Sequence, residues 1–362
     1  MKEFMSPKER VEAVLLKKKA DYVPFTVYES MIPQCEIERK LRNEGLCIVK
    51  RLNVHKMESP DVKEVVTHYE ENGLNKIRTD IQTPVGNLFF IQIRQSIDTA
   101  VGYTHWEEQK IFKSKEDYKA IEFMIRNRVY MPNYESFLKE QKYAGDDIIL
   151  RADVGGYEPL QEIMISIMGI ENFSIEWAEN RDEVLKLYKH LVDDRRKIYP
   201  IIAKSPALHA NYGGNVAAEI VGLERFEKYF LPHYQEFSEV MHKNGKLAGS
   251  HFDGNNKLIA SLMAKSGLDY IEAFTPSPDT DMTVKEALDI WPDKILWINF
   301  PSSIHVRSKE EIKKTTLEIL EQAKPLDRLI VGITEDVPKD KWQDSFLTIM
   351  EVLKNHGRIS IR

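Results

Sequence analysis

The sequence contains very little cysteine. Of its 362 residues only Cys35 and Cys47 are cysteines, and both lie early in the chain. So few thiols exclude a disulfide framework and any thiolate-rich zinc or iron–sulfur cage. A metal bound by this protein would therefore need nitrogen and oxygen ligands.

Membrane-directed segments and concentrated charge are also lacking. No apolar stretch approaches the roughly 18 residues that span a bilayer, and residues 1–25 lack the apolar core and cleavage site of a signal peptide. The formal net charge of -6 comes from interspersed Glu and Lys rather than from blocks. We therefore expect a soluble, cytoplasmic protein that has neither a membrane nor a nucleic acid as its partner.

The first clear structural signal is a helix near the N-terminus. Ser6 is a suitable N-cap, Pro7 occupies the first helical position and Glu9 completes a capping box. Val11 and Val14 follow at helical spacing. The sequence therefore predicts a helix that begins at about Pro7.

Short apolar runs alternate with helical segments along the chain, and eight of them are typical of strands. These runs lie near 22–27, 47–50, 148–152, 207–211, 246–250, 269–272, 295–299 and 329–333. Such alternation indicates parallel strands covered by helices. A single (β/α)8 barrel over residues 1–362 fits best, and a doubly wound open sheet is the alternative. No G-x-G-x-x-G or P-loop follows any of these strands, so the usual nucleotide-binding signature is missing.

Residues 67–103 interrupt this rhythm with alternating apolar and polar positions. The alternation is broken at 83–87, where a Pro/Gly segment is typical of a hairpin turn. A segment of this length exceeds an ordinary barrel loop. We expect an inserted β-hairpin that forms part of a lid or of a partner surface.

Polar side chains follow several of the predicted strands. His251 and Asp253 follow one strand, Glu272 ends the next, and Glu335 follows the last. In a parallel barrel the C-terminal strand ends converge on one mouth, where catalysis takes place. The same rule places four further polar residues at this mouth: Glu29, Asp153, Asn211 and Asn299.

So many carboxylates around one histidine would repel one another unless they are protonated, paired or bound to a metal. The loops that carry them contain few Lys or Arg residues. A divalent cation resolves the repulsion most simply, and a catalytic zinc takes about three imidazole or carboxylate ligands and keeps one open position. The alternative is a metal-free cluster of hydrogen-bonding or substrate-binding groups.

Read together, these segments resemble the uroporphyrinogen decarboxylase superfamily over nearly the whole chain. The similarity is carried by residues 5–14 (MSPKERVEAV), 21–25 (DYVPF), 83–86 (TPVG) and 223–232 (LERFEKYFLP). The resemblance implies one (β/α)8 barrel. The decarboxylase itself is a poorer match, because residues 28–35 (YESMIPQC) replace its arginine- and glycine-rich loop after the first strand.

A closer resemblance is to the zinc-dependent, corrinoid-linked methyltransferases of that superfamily. Their pattern is His-x-Cys after one strand and a later Cys in a Gly-rich segment. Here residues 251–253 (HFD) occupy the first motif, and residues 332–338 (GITEDVP) resemble the second with Glu335 at the cysteine. Carboxylates thus replace both thiolates, which leaves a harder, more Lewis-acidic zinc that suits an oxygen substrate.

The resemblance therefore implies a zinc-dependent methyltransferase. It would move a methyl group from a small methylated donor, such as a methyl ether, to the cobalt of a corrinoid (cobalamin) carried by a partner protein. We expect His251 and Glu335 as metal ligands, with Glu272 and Asp253 competing for the third position. Those two acids and Asn211 are also the candidate catalytic residues. The candidate substrate-binding residues are Tyr28, Asp153, Tyr157, Tyr212, Phe274 and Asn299, and two further aromatic residues, Phe252 and Trp297, are candidate pocket walls.

Two other functions fit the same residues. A metal-independent decarboxylase would use Asp253, Glu272 and Glu335 to handle protons. A non-catalytic barrel would bind a ligand or a corrinoid protein without turnover. The sequence does not identify the methyl donor.

Overall fold

The computed structural model of the chain describes residues 4–94 and 106–359. Its strands are β1 (Phe25–Tyr28), β2 (Leu46–Asn53), β3 (His55–Glu58), β4 (Lys63–Glu71), β5 (Leu74–Thr83), β6 (Gly86–Arg94), β7 (Trp106–Gln109), β8 (Val129–Pro132), β9 (Ile148–Asp153), β10 (His209–Gly214), β11 (Leu247–His251), β12 (Tyr270–Phe274), β13 (Ile295–Asn299) and β14 (Leu329–Ile333).

Its helices are α1 (Pro7–Leu15), α2 (Glu36–Glu44), α3 (Tyr118–Arg126), α4 (Glu135–Tyr143), α5 (Pro159–Gln161), α6 (Gly169–Glu179), α7 (Arg181–Ala203), α8 (Ala218–Val221), α9 (Leu223–Tyr229), α10 (Leu231–Lys243), α11 (Ala260–Met263), α12 (Val284–Ile290), α13 (Ser302–His305), α14 (Lys309–Gln322) and α15 (Trp342–His356). A 3-10 helix covers Lys115–Asp117, and a π-helix covers Glu162–Ile167. None of the helices within the described residues has both the length and the apolar character that crossing a bilayer requires.

The N-terminal helix forms as the sequence predicts. The Glu9 amide donates to Ser6 Oγ at 3.2 Å, and the Ser6 amide donates to Glu9 Oε2 at 2.8 Å, which completes the capping box. Val11 and Val14 are buried on one side of α1. The prediction of a helix from Pro7 is confirmed.

Eight parallel strands close into a barrel in the order β1-β14-β13-β12-β11-β10-β9-β2. Each of the eight strands predicted from the sequence is one of them, so the (β/α)8 barrel is confirmed and an open sheet is excluded. β12, β13 and β14 are buried along their whole length. Strands of a parallel barrel are covered by helices outside and by packed side chains inside, which explains their almost continuous apolar character.

The chain forms two compact units. The first consists of Met1–Val54, Tyr134–Gly155 and Ser205–Arg362 and contains the barrel strands. The second consists of His55–Asn133 and Gly156–Lys204. That residues 1–362 form a single domain stays a prediction.

The second unit contains the predicted hairpin as part of a larger sheet. β4, β5, β6 and β7 form an antiparallel sheet in that order, and β5 pairs with β6 from Thr83 opposite Gly86 to Asn75 opposite Arg94. Thr83 Oγ1 donates to the Gly86 carbonyl at 2.7 Å and closes the turn. The predicted insertion begins inside β4, and its last part, 95–103, lies outside the described residues.

Candidate metal centre

His251, Asp253 and Glu335 come together at the C-terminal ends of β11 and β14. One possible ligand atom from each of the three side chains lies within 4.8 Å of the other two, and all three are half-buried. His251 Nε2 is 3.4 Å from Asp253 Oδ2. The fold thus brings Glu335, which lies 84 positions after His251 in the chain, to the local pair formed by His251 and Asp253.

The spacing and chemistry of this trio fit zinc. Two ligands of a tetrahedral zinc with bonds of about 2.1 Å lie about 3.4 Å apart, which matches the separation of His251 Nε2 from Asp253 Oδ2. Burial raises the pKa of Glu335, and the neighbouring carboxylate of Asp253 raises it further. A divalent cation bound by these three residues would relieve that repulsion and would leave a fourth position for a substrate oxygen.

Glu272 lies behind His251 and accepts hydrogen bonds from several side chains. It is fully buried in β12. Its Oε1 accepts from the Tyr28 hydroxyl and lies 3.1 Å from Arg151 Nη1. Its Oε2 accepts from Asn211 Nδ2 at 3.0 Å and lies 2.9 Å from His251 Nδ1. A carboxylate has about four lone-pair sites, so these contacts occupy all of its hydrogen-bonding capacity.

The electrostatics of the pair follow from this arrangement. Burial alone would raise the pKa of Glu272, but Arg151 and His251 lower it to about 2. Burial alone would lower the pKa of His251, but Glu272 and Asp253 raise it to about 10. Glu272 is therefore a carboxylate, and Nδ1 of His251 carries a hydrogen that faces it.

Two arginines flank Tyr28 on the inner face of the barrel. Arg51 of β2 and Arg151 of β9 stand opposite each other in register. Their guanidinium carbons lie 4.0 Å and 5.4 Å from the centre of the Tyr28 ring. Arg151 also pairs with Asp153 at 3.1 Å. Sequence reasoning examined the loops for cations and missed these residues, whose signal is an arginine inside an otherwise apolar strand.

Comparison with known proteins gives a fold and no family. No family model matches the chain, and no curated protein matches it. Among solved structures, a methyltransferase from Methanosarcina mazei is similar with a TM-score of 0.56 and 11% identity, and the match covers 97% of this chain and 99% of that one. The likeness shows the fold.

A second solved structure comes from work on the pneumococcal virulence factor StrH and its recognition and hydrolysis of N-glycans. It is 10% identical, and the match covers 95% of this chain and 86% of that one, with a TM-score of 0.39. That similarity is too low to support an argument.

Asn299, a predicted substrate-binding residue, holds the loop that carries Glu335. Its Oδ1 accepts from the Thr334 amide at 2.9 Å, and its Nδ2 donates to Thr275 Oγ1 at 3.3 Å. Asn299 is almost completely buried. Asn299 therefore fixes the backbone at Thr334, next to Glu335.

Asp153, another predicted substrate-binding residue, lies at the end of β9 and is partly exposed. Its carboxylate accepts from Arg151 Nε at 3.1 Å. Burial raises the pKa of Asp153, although Arg151 opposes the effect. Asp153 and Tyr28 both contact Arg151, so the structure brings these two predicted residues to the group around Glu272.

Two predicted substrate-binding residues, Tyr212 and Phe274, have rings that pack against other aromatic side chains. The Tyr212 ring packs against Tyr234 and Phe237 of α10, with ring centres 5.6 Å and 5.3 Å away. The Phe274 ring packs edge-on against Trp291 at 5.7 Å. The Tyr212 ring therefore packs β10 against α10, and the Phe274 ring packs β12 against the residue that follows α12.

The other candidate aromatic residues also have structural partners. Phe252 packs on Tyr234 at 5.6 Å, and Trp297 Nε1 donates to Thr26 Oγ1 at 2.9 Å. Tyr157 belongs to the second unit, where its carbonyl oxygen accepts from Arg195 Nε at 3.3 Å.

The backbone beside the trio is irregular. The register of β10 with β11 shifts between Asn211 and Gly214, and a Cβ on Gly214 would lie 2.9 Å from the Cβ of His251. The register of β12 with β13 shifts just after Glu272, where Ala273 has a φ of 57°. A non-glycine residue in that conformation costs about 1–3 kcal/mol, and such residues cluster at functional sites.

Proposed function

We propose that this protein is a zinc-dependent methyltransferase. It moves a methyl group from a small methyl ether to the cobalt of a corrinoid that a partner protein carries. The observation that carries the proposal is the meeting of His251, Asp253 and Glu335 at the barrel mouth, with Glu272 engaging Nδ1 so that Nε2 faces the trio. The similar fold of the Methanosarcina mazei methyltransferase and the sequence resemblance to corrinoid-linked methyltransferases support it.

His251 Nε2 and the carboxylates of Asp253 and Glu335 would hold the zinc. When bound there, zinc would supply positive charge to the ether oxygen as the bond between that oxygen and the methyl carbon breaks. The corrinoid of the partner protein would supply cobalt(I) as the acceptor of the methyl group, and the ether oxygen would leave as an alkoxide or phenolate that takes up a proton. Two carboxylates and one imidazole form a harder ligand set than thiolates would, and a harder set suits an oxygen substrate.

Glu272 then acts on the imidazole rather than on the substrate. A carboxylate that accepts from Nδ1–H fixes the tautomer and the orientation of a histidine ligand. Glu272 is itself held by Tyr28, Arg151 and Asn211. This assigns to Glu272 a supporting role behind the ligands and leaves Asp253 as the third ligand.

The metal assignment is tested by the zinc content of the purified protein. We expect about one zinc per chain in the wild type, and none in His251→Ala or in Glu335→Ala with the fold retained. His242→Ala is the matched control, because His242 also pairs with an acid, Asp269, at 2.8 Å but lies at the end of α10. Full zinc content in both ligand variants would contradict the assignment.

The reaction is tested with methoxybenzene and reduced free cobalamin, whose methylation is followed by its absorption spectrum. We expect methylcobalamin to form with the wild type, and the rate to fall after treatment with a chelator and to return with added zinc. Turnover of a carboxylate substrate that survives chelation would instead identify a metal-independent decarboxylase.

A further inference from the structure

We infer that His209 and Tyr270, which do not contact the proposed ligands, are positioning residues for the metal centre. They orient the amide of Asn211, which in turn supports Glu272 behind His251. The inference rests on the proposed function, because it concerns how the metal-binding imidazole is held.

The hydrogen bonds that link His209, Tyr270, Asn211 and Glu272 all have their donors directed toward Glu272. Asn211 turns its Nδ2 toward Glu272 at 3.0 Å, so its Oδ1 faces the other way and accepts from the Tyr270 hydroxyl at 2.6 Å. Because that hydroxyl has donated its hydrogen, its oxygen accepts from His209 Nδ1, 2.9 Å away. Each member therefore donates toward Glu272, and the chain of donors ends at the carboxylate.

His209 is suited to the first position of this chain. It is fully buried, and burial lowers its pKa to about 3, so its ring is neutral and carries one hydrogen. That hydrogen lies on Nδ1, which leaves Nε2 as an acceptor, and within the described residues Nε2 has no hydrogen-bonding partner. Burying an unsatisfied ring nitrogen is unfavourable, so packing alone would favour an apolar side chain here.

The register of the strands allows this row of hydrogen-bonded side chains to extend across β11. His209 and Asn211 are two residues apart on β10, and Tyr270 and Glu272 are two residues apart on β12, so each pair lies on one face of its strand. β11 lies between these strands, and its Gly249 stands in register with both Asn211 and Tyr270. A Cβ on Gly249 would lie 2.0 Å from the Tyr270 ring. The missing side chain is what allows Tyr270 to cross β11 and reach β10.

The consequence is a fixed orientation of one amide. The Tyr270 hydroxyl and the Glu272 carboxylate hold the amide of Asn211 from its two sides. If the hydroxyl were absent, Asn211 Oδ1 would be a buried acceptor without this donor, which is unfavourable, and the amide would shift from its position. The bond from Nδ2 to Glu272 would then weaken, so the carboxylate would be held less firmly against His251 Nδ1.

The test is Tyr270→Phe in the full chain, which removes only the hydroxyl. Zinc affinity is measured by competition with a chromophoric chelator, and ligand geometry is measured by the visible spectrum of the Co²⁺-substituted protein. We expect zinc affinity to fall by about 10- to 100-fold and the Co²⁺ spectrum to change. A tyrosine with a purely structural role would alter neither readout.

Tyr118→Phe is the matched control. Tyr118 is buried and donates to Glu176 at 2.9 Å in the second unit. Loss of the Tyr118 hydroxyl should reduce the free energy of unfolding and leave zinc affinity and the Co²⁺ spectrum unchanged.

Each outcome has a distinct meaning. A wild type that binds no zinc contradicts the proposed function itself. A wild type that binds zinc with a Tyr270→Phe variant of equal affinity and spectrum overturns the positioning role alone. Should Tyr270→Phe fail to fold, His209→Phe is measured instead, and unchanged zinc affinity in that variant overturns the inference.

Discussion

Glu272 shows how far a single residue can be interpreted from sequence. The sequence identified Glu272 correctly as a carboxylate on a strand that leads to the mouth of the barrel, and offered it as a competing metal ligand. It could not show that Tyr28, Arg151 and Asn211, which are distant in the chain, converge on its two oxygens. A lone pair that already accepts a hydrogen bond is not available to a metal, and only the folded chain reveals it.

Glu272→Gln should therefore weaken zinc binding without removing a ligand. The amide nitrogen of Gln would face groups that themselves donate, so we expect zinc affinity to fall about 10- to 100-fold. Because Arg151 would keep a buried charge with less compensation, the free energy of unfolding should fall by about 3 kcal/mol. Chelator competition and urea unfolding measure the two effects.

Glu176→Gln provides the comparison for that variant, since Glu176 is a buried carboxylate that accepts from Tyr118 in the second unit. It should lose stability only. Wild-type zinc affinity in Glu272→Gln would show that the carboxylate does not orient His251.

The elements were more predictable than the site. The eight barrel strands were found because each is a short apolar run, and burial on both faces gives such runs their character. β4 of the inserted sheet began earlier than predicted, at Lys63, because it is exposed at nearly every position and so shows no apolar alternation. The shifts of register after Asn211 and Glu272 left no signal that periodicity could detect.

The end of β10 offers a test at the level of the element. In Gly214→Ala the added methyl group would lie 2.9 Å from His251 Cβ, in a backbone with a φ of 149° that side chains disfavour. We expect the free energy of unfolding to fall by about 1–3 kcal/mol and zinc affinity to fall about tenfold or more as His251 shifts. Urea unfolding and chelator competition report the two changes.

Gly245→Ala is the control that separates the effect of backbone strain from the effect of displacing His251. Gly245 has a φ of 67°, but among residues 4–94 and 106–359, its two chain neighbours aside, no atom lies within 4 Å of the position where its Cβ would be. That variant should lose stability from backbone strain and bind zinc as the wild type does. Equal zinc affinity in both glycine variants would show that close approach of β10 does not position His251.

In the first unit, the proposed chemistry and the stabilising contacts lie at opposite ends of the barrel. The trio lies at the C-terminal strand ends, where barrel enzymes carry their chemistry, and the N-terminal ends usually serve stability. At that second end Arg10 of α1 makes hydrogen bonds of 2.7 Å and 3.0 Å to Asp21, just before β1. The Ile359 amide donates to the Asp21 carbonyl at 3.0 Å, so both ends of the described chain are held there.

Asp21→Asn should therefore alter stability in a pH-dependent way. Burial would raise the pKa of Asp21, but Arg10 outweighs it and holds that pKa below its usual 3.8. The stabilisation is complete above the unfolded pKa and is lost as pH falls through the lower folded value. We expect the variant to be less stable by about 1–3 kcal/mol at pH 7, and the difference to shrink below about pH 4.

Urea midpoints at neutral and acid pH measure this difference. Asp289→Asn is the control, because Asp289 forms an exposed helix pair with Lys285, and such a pair contributes about 0.5 kcal/mol or less. A difference between wild type and Asp21→Asn that persists undiminished at pH 3 would show that the ionised carboxylate is not what stabilises this end. Zinc affinity should be the same in all three proteins.

Because Gly249 has no side chain, hydrogen-bonded side chains can cross β11 from β12 to β10. The residues that make this crossing form a pattern that can be recognised in other sequences. It joins His209 and Asn211 on one strand to Tyr270 and Glu272 on the strand after next. A genome search for His-x-Asn, then a strand-centred Gly, then Tyr-x-Glu on three successive strands would find barrels able to repeat this crossing. If those barrels also end the middle strand in His-x-Asp, the crossing side chains and the proposed metal ligands occur together. If they do not, the crossing occurs independently of the ligands.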